Sequence, residues 1–253
     1  MGRFIGIEID SARLRVAEIE ENGKRQRMLQ CFSFPVPQGM VEDGEIRDTG
    51  NVADLLLDGL EAHNIRTKKV FFVAGSSRIA NRRLKIPMVK KKQIQSLLEE
   101  NSSEYFPIDL SKYVLSYTIM REITEPAEGN KPAVRQYVLM ACAAPKSIST
   151  SCRETAELAG LTMIGIGYTG DSVYQAVKEK YASGVHLLAK IEMDHSTISI
   201  IRDGDLALQR TVSYGVDGAL DAMMQASAFG EFRDEWRAFD RLRGKTCINT
   251  RLE

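Results

Sequence analysis

Alternating apolar and polar residues predict three strands at the start of the chain. Residues 3–9, "RFIGIEI", and residues 13–22, "RLRVAEIEEN", alternate with a period of two, which is typical of strands with one buried face. A third run at 25–36 follows the dipeptide Asn22-Gly23, which favours a tight hairpin turn. The pattern therefore predicts that the chain opens with a β-hairpin extended by a third strand.

The following segments change period. Residues 51–65 carry apolar side chains at helical spacing, and residues 69–75, "KVFFVAG", form a continuous apolar run typical of a strand buried on both faces. Residues 82–146 then interrupt this order, and we expect them to form an inserted subdomain. The insertion is predicted to contain a strand at 82–87, a helix at 89–106 and two strands at 113–123 and 135–145.

A second pair of strands near residue 190 repeats a feature of the first hairpin. Helices at 146–160 and 171–182 lead into "AKIEMDHSTISIIRDG" at 189–204, which pairs with 206–215 and precedes a helix at 216–229. Both strand pairs carry Glu-x-Asp where the first strand ends, as Glu8-Ile9-Asp10 and Glu192-Met193-Asp194. The repetition predicts two related domains, residues 1–185 with the insertion and residues 186–253.

The composition is that of an ordinary globular protein and excludes several classes. The 253 residues include 34 Lys and Arg and 34 Asp and Glu, so no net charge attracts the chain to nucleic acid. No stretch approaches the roughly 18 consecutive apolar residues that a membrane-spanning helix needs. The four cysteines are scattered without a CxxC pair, so nothing requires an oxidising compartment. We therefore predict a cytoplasmic protein.

Several segments occur in an order and spacing that carry a family resemblance. They are "GIEIDS" (6–11) with Arg15 four positions on, "PVPQGMVEDGEIRD" (35–48), "KIPMVKKKQIQ" (85–95), "SEYFPIDLSKYVLSY" (103–117) and "QRTVSYGVDGAL" (209–220). In these segments the chain resembles the type IV pilus assembly protein PilM family of the actin-like ATPase superfamily. The resemblance implies a mixed α+β, actin-like (ribonuclease H-like) fold of two domains, the second of them incomplete.

The resemblance also implies a nucleotide site between the two hairpins, but the key turns are altered. In the superfamily each hairpin turn is Asp-x-Gly and holds ATP phosphates with Mg²⁺; here both turns are Glu-x-Asp. An Asp in place of Gly adds a Cβ where the backbone approaches phosphate, and a charge that repels it by about 4 kcal/mol at 4 Å and a dielectric of 20. The positions implied for nucleotide binding are Glu8, Asp10, Ser11, Arg15, Glu192, Asp194, Ser196, Thr197 and Gly215.

Three interpretations of these turns stay open. One is an ATPase that retains ATP and Mg²⁺ with unusual ligands. Another is a cation site, because four converging carboxylates suit Mg²⁺ or Ca²⁺; its ligands would be Glu8, Asp10, Glu192 and Asp194. The third is a degenerate site in which the hairpins persist as structure and the acids are solvated or paired with Arg15. We favour the third and assign no catalytic residue and no cofactor.

If nucleotide binding is lost, the resemblance implies an adaptor. Its partner would be the N-terminal cytoplasmic tail of a PilN-like inner-membrane protein, which would place the chain at the inner face of the cell membrane. Such a tail is extended, so we expect main-chain hydrogen bonds and apolar pockets in a groove beside the insertion. We place that groove near Phe71, Arg83, Pro107 and Tyr117.

Three features leave further alternatives. Basic residues between 78 and 92 either face an anionic membrane surface or form a solvated helix start, and the lack of aromatic residues among them argues against nucleic acid. Near the C-terminus Phe232, Trp236 and Phe239 recur at helical spacing, for core packing or as a partner surface. A homo-oligomer, and a relationship to the cell-division protein FtsA instead of PilM, also stay open.

Overall fold

The structure is a computed structural model that describes residues 2–23, 25–125 and 133–225. Its strands are β1 (Gly2–Ile9), β2 (Arg13–Asn22), β3 (Arg25–Pro35), β4 (Val41–Glu42), β5 (Glu45–Ile46), β6 (Lys69–Ala74), β7 (Ala80–Pro87), β8 (Tyr113–Glu125), β9 (Val134–Pro145), β10 (Thr162–Tyr168), β11 (Val185–Ile191), β12 (Ser196–Arg202) and β13 (Asp205–Val212). Its helices are α1 (Thr49–Ala62), α2 (Lys91–Glu100), α3 (Ser102–Tyr105), α4 (Lys146–Leu158), α5 (Thr169–Val177) and α6 (Val216–Gln225).

The largest sheet has the strand order β10-β6-β1-β2-β3. Strands β1, β2 and β3 are antiparallel, whereas β6 runs parallel to both β1 and β10. The alternation of β1 buries Ile5, Ile7 and Ile9, and α1 packs onto the same core through residues such as Leu56. Asp48 begins α1 by accepting a hydrogen bond from the Asn51 amide at 3.1 Å, as an N-cap residue should. The predicted strands and helix of this region are confirmed.

The predicted insertion forms a separate three-stranded sheet in the order β7-β9-β8, with its own small cores. Helix α2 buries Ile94 and Leu98 against this sheet. The single helix predicted over 89–106 is wrong, because α2 ends at Glu100 and only the short α3 follows. Asn101 stops the helix by donating its side-chain amide to the Leu97 carbonyl at 2.8 Å.

The third sheet has the order β11-β12-β13 and comes from the second Glu-x-Asp repeat. Its inner face contributes Ile201 and Leu206 to a core shared with Tyr174 of α5 and Met140 of β9. The predicted helix at 216–229 is described only as far as Gln225. The boundaries 1–185 and 186–253 stay a prediction.

Strand β10 was not predicted. Its sequence "TMIGIGY" contains two glycines and no regular alternation of polar residues, so the pattern gave no strand there. The structure pairs it in parallel with β6, which makes it an edge of the main sheet.

Among the described residues, none of the helices has the length and apolar composition that a membrane span requires.

Candidate functional site: the cleft between the hairpins and the neighbouring groove

The two Glu-x-Asp repeats meet in the structure, joined by a lysine that precedes the second one. Glu8 and Asp10 lie at the end of β1, and Glu192 follows directly after β11. The Lys190 ammonium is paired with the Glu8 carboxylate and lies 2.6 Å from Oε1 of Glu192. One cation of β11 therefore bridges carboxylates of both hairpins.

Arg15 neutralises the first repeat. It lies on β2 directly opposite Glu8 in the antiparallel register, so both side chains emerge on the same side of the hairpin. Its guanidinium contacts Oε2 of Glu8 at 3.2 Å and Oδ2 of Asp10 at 3.2 Å. This pairing was one part of the degenerate-site interpretation drawn from the sequence.

His195 neutralises the second repeat. Its side chain is only 2% exposed, with Nδ1 2.6 Å from Oδ1 of Asp194 and Nε2 2.8 Å from Oε2 of Glu192. Burial alone would lower the pKa of His195, but these two carboxylates outweigh it and raise the pKa to about 10. The imidazole is therefore a buried cation at neutral pH.

The pKa values of the carboxylates follow their partners. Burial would raise the pKa of Glu192, but His195 and Lys190 hold it below its ordinary value. Burial would also raise the pKa of Asp194, but the hydrogen bond and charge of His195, together with the Asp43 amide, hold it below its ordinary value. Asp10 is the exception: burial, followed by the Glu192 charge, raises its pKa despite the nearby Arg15. The cleft thus holds one carboxylate that is not fully compensated.

A second line of polar contacts connects the repeat at 192–194 to the first hairpin's sheet. The Asp43 amide donates to Oδ2 of Asp194 at 3.0 Å. The Asp43 carboxylate in turn accepts hydrogen bonds from the Ser77 amide at 2.6 Å and from Nε of Arg78 at 3.1 Å. The turn that contains Asp43 is thereby hydrogen-bonded both to the second repeat and to the residues that follow β6.

Two glycines permit this close approach. A Cβ on Gly75 would lie 2.5 Å from Nε2 of His195, so no other residue leaves room for the imidazole. A Cβ on Gly215 would overlap the Met193 carbonyl oxygen, because the start of α6 lies against the second repeat. There the Val216 amide donates to the Glu192 carbonyl at 2.9 Å.

The structure separates the residues predicted for nucleotide binding into two groups. A cavity of about 980 Å³ between the hairpins is lined by Asp10, Ser11, Arg15, Glu192 and Asp194, but not by the others. Ser196 instead donates to the Tyr214 carbonyl at 2.7 Å, and Thr197 contacts the Thr211 hydroxyl at 3.2 Å. Both are buried side chains occupied within the β11-β12-β13 sheet.

A cation site has no support in the described residues, where no group of three or more His, Cys, Asp or Glu side chains is arranged to hold a metal ion. The carboxylates proposed as ligands, Glu8, Asp10, Glu192 and Asp194, face Arg15, Lys190 and His195 instead. The metal interpretation therefore stays a prediction.

A second cavity of about 1060 Å³ forms a groove between the main sheet, the inserted sheet and α4. Phe71 and Tyr117, predicted near a partner site, both line it. Arg83 and Pro107 do not: Arg83 pairs with Asp205 at 3.6 Å, and Pro107 is exposed elsewhere. The groove therefore brings together only half of the residues proposed for it.

The walls of this groove include two edge strands, β10 and β8. The Phe71 ring covers Gly165 and Gly167 of β10, where a Cβ would lie 2.8 Å and 3.0 Å from ring carbons. Val114 on β8 and Ile164 on β10 also line the groove, and these residues are 45% and 49% exposed. Asn81 also lines it; the residue is 6% exposed, and its Nδ2 has no hydrogen-bond partner among the described residues.

Comparisons with known proteins agree with this fold. A family model described as type IV pilus assembly protein PilM matches residues 6–231, which is most of the chain. The chain belongs to the PilM family of type IV pilus assembly proteins. No curated protein sequence matches it. The family match decides between PilM and FtsA in favour of PilM.

Some solved structures are similar to this chain at low sequence identity. One described as "PilM-PilN type IV pilus biogenesis complex" matches with a TM-score of 0.78 and 17% identity, covering 95% of this chain and 69% of that chain. A Bacteroides thetaiotaomicron protein with an actin-like ATPase fold and unknown function matches with a TM-score of 0.46 and 12% identity. The match covers 95% of this chain and 87% of that chain. The cytoplasmic domain of EpsL, from the type II secretion system of Vibrio cholerae, matches with a TM-score of 0.45 and 10% identity. The match covers 92% of this chain and 79% of that chain. The first match confirms the predicted actin-like α/β fold; the other two are too distant to add to it.

Three residues of the cleft were missed or misread in this PilM-family sequence. Lys190 was overlooked, although it lies two residues before Glu192 and so on the same side of an extended strand. His195 received no role in the sequence analysis, because a lone histidine after a strand carries no signal of its own. Asp43 reaches the cleft only through the tertiary fold, so no local pattern could identify it.

Removing the bridging cation should destabilise the protein. Lys190→Met leaves the Glu8 and Glu192 carboxylates facing each other, and we expect the free energy of unfolding to fall by about 2–4 kcal/mol, since the site is partly exposed. Urea denaturation would measure this. Lys178→Met, which removes an exposed lysine bonded to Gln175 at 2.7 Å, is the control and should change stability by less than about 0.5 kcal/mol. Adding Glu8→Gln to Lys190→Met should restore part of the loss; a Lys190→Met variant as stable as the control would contradict the bridge.

The charge on His195 should make stability depend on pH above neutrality. Because the pKa of His195 rises from 6.5 in the unfolded chain to about 10, its contribution is complete below pH 6.5 and is lost as the pH rises through 10. The full contribution is on the order of 4–5 kcal/mol. The stability difference between the wild type and His195→Gln should therefore shrink between pH 6.5 and 10. A stability difference between the wild type and His195→Gln that stays constant over this pH range would refute the buried imidazolium.

Proposed function

We propose that this PilM-family chain is an adaptor of type IV pilus assembly that works without nucleotide and binds an extended segment of a PilN-like protein. The observation that carries this proposal is the groove beside the insertion, with its apolar lining, two edge strands and buried unpaired amide. An edge strand offers unpaired backbone groups that an extended peptide satisfies by adding a strand.

The groove chemistry defines what the segment should contain. Ile164 of β10 and Val114 of β8 are exposed apolar side chains that line the groove from two different sheets, which suits a peptide with apolar residues. Within the described part of the chain, Nδ2 of the Asn81 side chain has no hydrogen-bond acceptor, and leaving such a donor unpaired in a buried position costs about 1–3 kcal/mol. A carbonyl oxygen of the bound segment would supply the acceptor.

The name of the similar structure supports the choice of partner. Its printed description joins PilM to PilN in one type IV pilus biogenesis complex. For this chain we infer the cytoplasmic N-terminal tail of a PilN-like inner-membrane protein, which would hold the adaptor at the inner face of the membrane. The chain itself would then be cytoplasmic and peripheral.

The cleft between the hairpins fits a structural function better than Mg-ATP. Mg²⁺ prefers carboxylate and water ligands, but the carboxylates here already pair with Lys190 and His195. The Asp10 carboxylate lines the cavity, and its pKa is raised by burial and by the Glu192 charge. A phosphate group placed there would be repelled by this carboxylate. A metal ion bound with nucleotide would need carboxylates that water can reach. We infer that here the chain's own cations neutralise these carboxylates instead.

Three exposed lysines favour a weak contact with the membrane surface. Within the basic segment at 78–92, Arg78, Arg83 and Lys85 have carboxylate partners. Lys90, Lys91 and Lys92 are exposed, with no carboxylate partner among the described residues. We propose that these lysines face anionic lipid, each contributing about 1 kcal/mol near the surface.

Substitution in the groove should weaken partner binding. Ile164→Arg places a charge among apolar groove residues, and we expect the dissociation constant for a synthetic peptide of the PilN-like N-terminal tail to rise by at least about tenfold. Calorimetric titration would measure it. Leu158→Arg, on a 59% exposed leucine of α4 that does not line the groove, is the matched control and should bind as the wild type does. Equal affinity for both variants would exclude this groove.

Nucleotide binding should be undetectable. Calorimetric titration of the folded protein with ATP, once with Mg²⁺ and once with EDTA, is expected to show no heat beyond dilution, because the charges between the hairpins are already compensated. Micromolar binding that requires Mg²⁺ would show instead an active Mg-ATP site. The same titration with Asp10→Gly and Asp194→Gly together tests whether the altered turns are the cause: this double variant should bind ATP more tightly than the wild type.

A further inference from the structure

The outer face of the β11-β12-β13 sheet is an exposed apolar surface. Along β11 exposed and half-buried residues alternate, and Leu187 in the middle of the strand is 71% exposed. In the register Leu187 lies opposite Ile200 of β12, which lies opposite Leu208 of β13, so one aliphatic row crosses the whole sheet. The other apolar residues on this side are Val185, Ala189, Ile198, Val212 and Ile191, the last of which also borders the cavity between the hairpins.

The first repeat shows which side of a sheet this face corresponds to. Aligning the two Glu-x-Asp motifs matches Glu8 with Glu192, and therefore Ile7 with Ile191. The Ile7 side of β1 is fully buried in the main core, where residues of α1 and α4 pack against it. Ile191, by contrast, is 64% exposed. Within the described part of the chain, the side that is a core face in the first repeat is thus open in the second.

We propose that a second copy of the chain packs against this face, sheet against sheet, across a two-fold axis. From the exposed fractions, the apolar residues of the face present on the order of 600 Å² per chain, so two such faces would bury about 1,200 Å². Specific, stable interfaces begin near this area, and those between identical chains are the more apolar ones. The area available therefore matches what a dimer of this chain needs.

The shape of the face also suits contact with itself. A two-fold contact places the same surface on both partners, and an aliphatic face is chemically complementary to itself. On β11 the small Ala189 lies between Leu187 and Ile191 on the same side of the strand. Two sheets pack about 10 Å apart by interdigitating their side chains. A large side chain of one copy can therefore fill the space above Ala189 of the other.

The charged residues of this face lie at its margins. Among the described residues they are Arg210 on the edge strand β13 and Arg202 at the end of β12. The Arg210 guanidinium donates to the Asn81 carbonyl of β7 at 3.3 Å, which directs it away from the centre of the face. Arg202 is followed by Asp203, whose carboxylate accepts a hydrogen bond from the Gly184 amide at 2.9 Å. The centre of the face is thus aliphatic and its margin is charged, as in protein–protein interfaces.

Sedimentation velocity of the 253-residue chain tests this proposal. We expect the wild type to sediment as a dimer, with a dissociation constant in the micromolar range or lower. Leu187→Asp places a carboxylate of each copy in the apolar contact and should raise this constant by at least about a hundredfold. Leu208→Asp, on a different strand of the same face, should do the same. Met28→Asp, at a 62% exposed apolar residue of β3 in another sheet, is the control and should leave the dimer intact.

The substituted side chains are exposed, so the cores should stay intact, and far-UV circular dichroism checks this for each variant. Two variants on separate strands keep the test decisive if one of them does not fold.

Three results would overturn the proposal. A wild type that stays monomeric well above micromolar concentration would mean that another part of the chain or another molecule covers the face. A dimer that persists in both Leu187→Asp and Leu208→Asp would place the contact elsewhere, and so would dissociation by Met28→Asp to the same extent. The groove variant Ile164→Arg should sediment as the wild type does, so dimer formation and peptide binding are tested separately.

Discussion

Four carboxylates can meet between two hairpins only if cations lie among them. The side chains of Asp10, Glu192 and His195 are each 2% exposed, and an uncompensated charge at such a depth costs several kcal/mol. Lys190 meets this requirement for the pair that comes from different hairpins, and Arg15 and His195 meet it for the pairs within each hairpin. The position of the β11-β12-β13 sheet against the first hairpin depends on this set of ion pairs, together with the close approach that Gly75 permits.

This constraint separates the two cavities by chemistry. Around the cleft between the hairpins, nearly every charged group has an oppositely charged partner from the chain itself, and Asp10 is the carboxylate whose pKa is raised there. In the groove beside the insertion the opposite holds, because β10 and β8 are edge strands and the Asn81 amide has no acceptor among the described residues. A ligand adds little stabilisation to groups that are already paired. A ligand that pairs with a buried unpaired group removes the desolvation penalty of that group. The two edge strands and the exposed apolar residues that line it therefore favour the groove over the cleft as the place where another molecule binds.

Much of the cleft was predictable from the sequence, because its logic is local. The repeated Glu-x-Asp motif ends two similar strands, and the turn after β1 places Arg15 opposite Glu8, so their pairing follows from hairpin register alone. The same reasoning reaches Lys190, which lies on the same side of the strand as Glu192, but only once a basic residue is sought among acidic ones. The role of His195 was not predictable, because its charge arises from burial between Asp194 and Glu192, and burial is a tertiary property. Asp43 lies 151 residues before its partner Asp194 in the chain, and no local signal marks it.

The groove was predictable only in part, for a related reason. Phe71 lies in a continuous apolar run, which predicts a buried strand. Its position near a partner site is implied only by the family resemblance. What makes the groove is the neighbouring strand β10, which the apolar pattern does not indicate because Gly165 and Gly167 interrupt it. Those glycines are themselves explained by the Phe71 ring, which occupies the space that their side chains would need. Glycines weaken a strand and leave its edge accessible, and here they also seat the aromatic ring that shapes the groove floor. A feature that hides the strand in the sequence is thus the one that makes it suitable for receiving an extended partner.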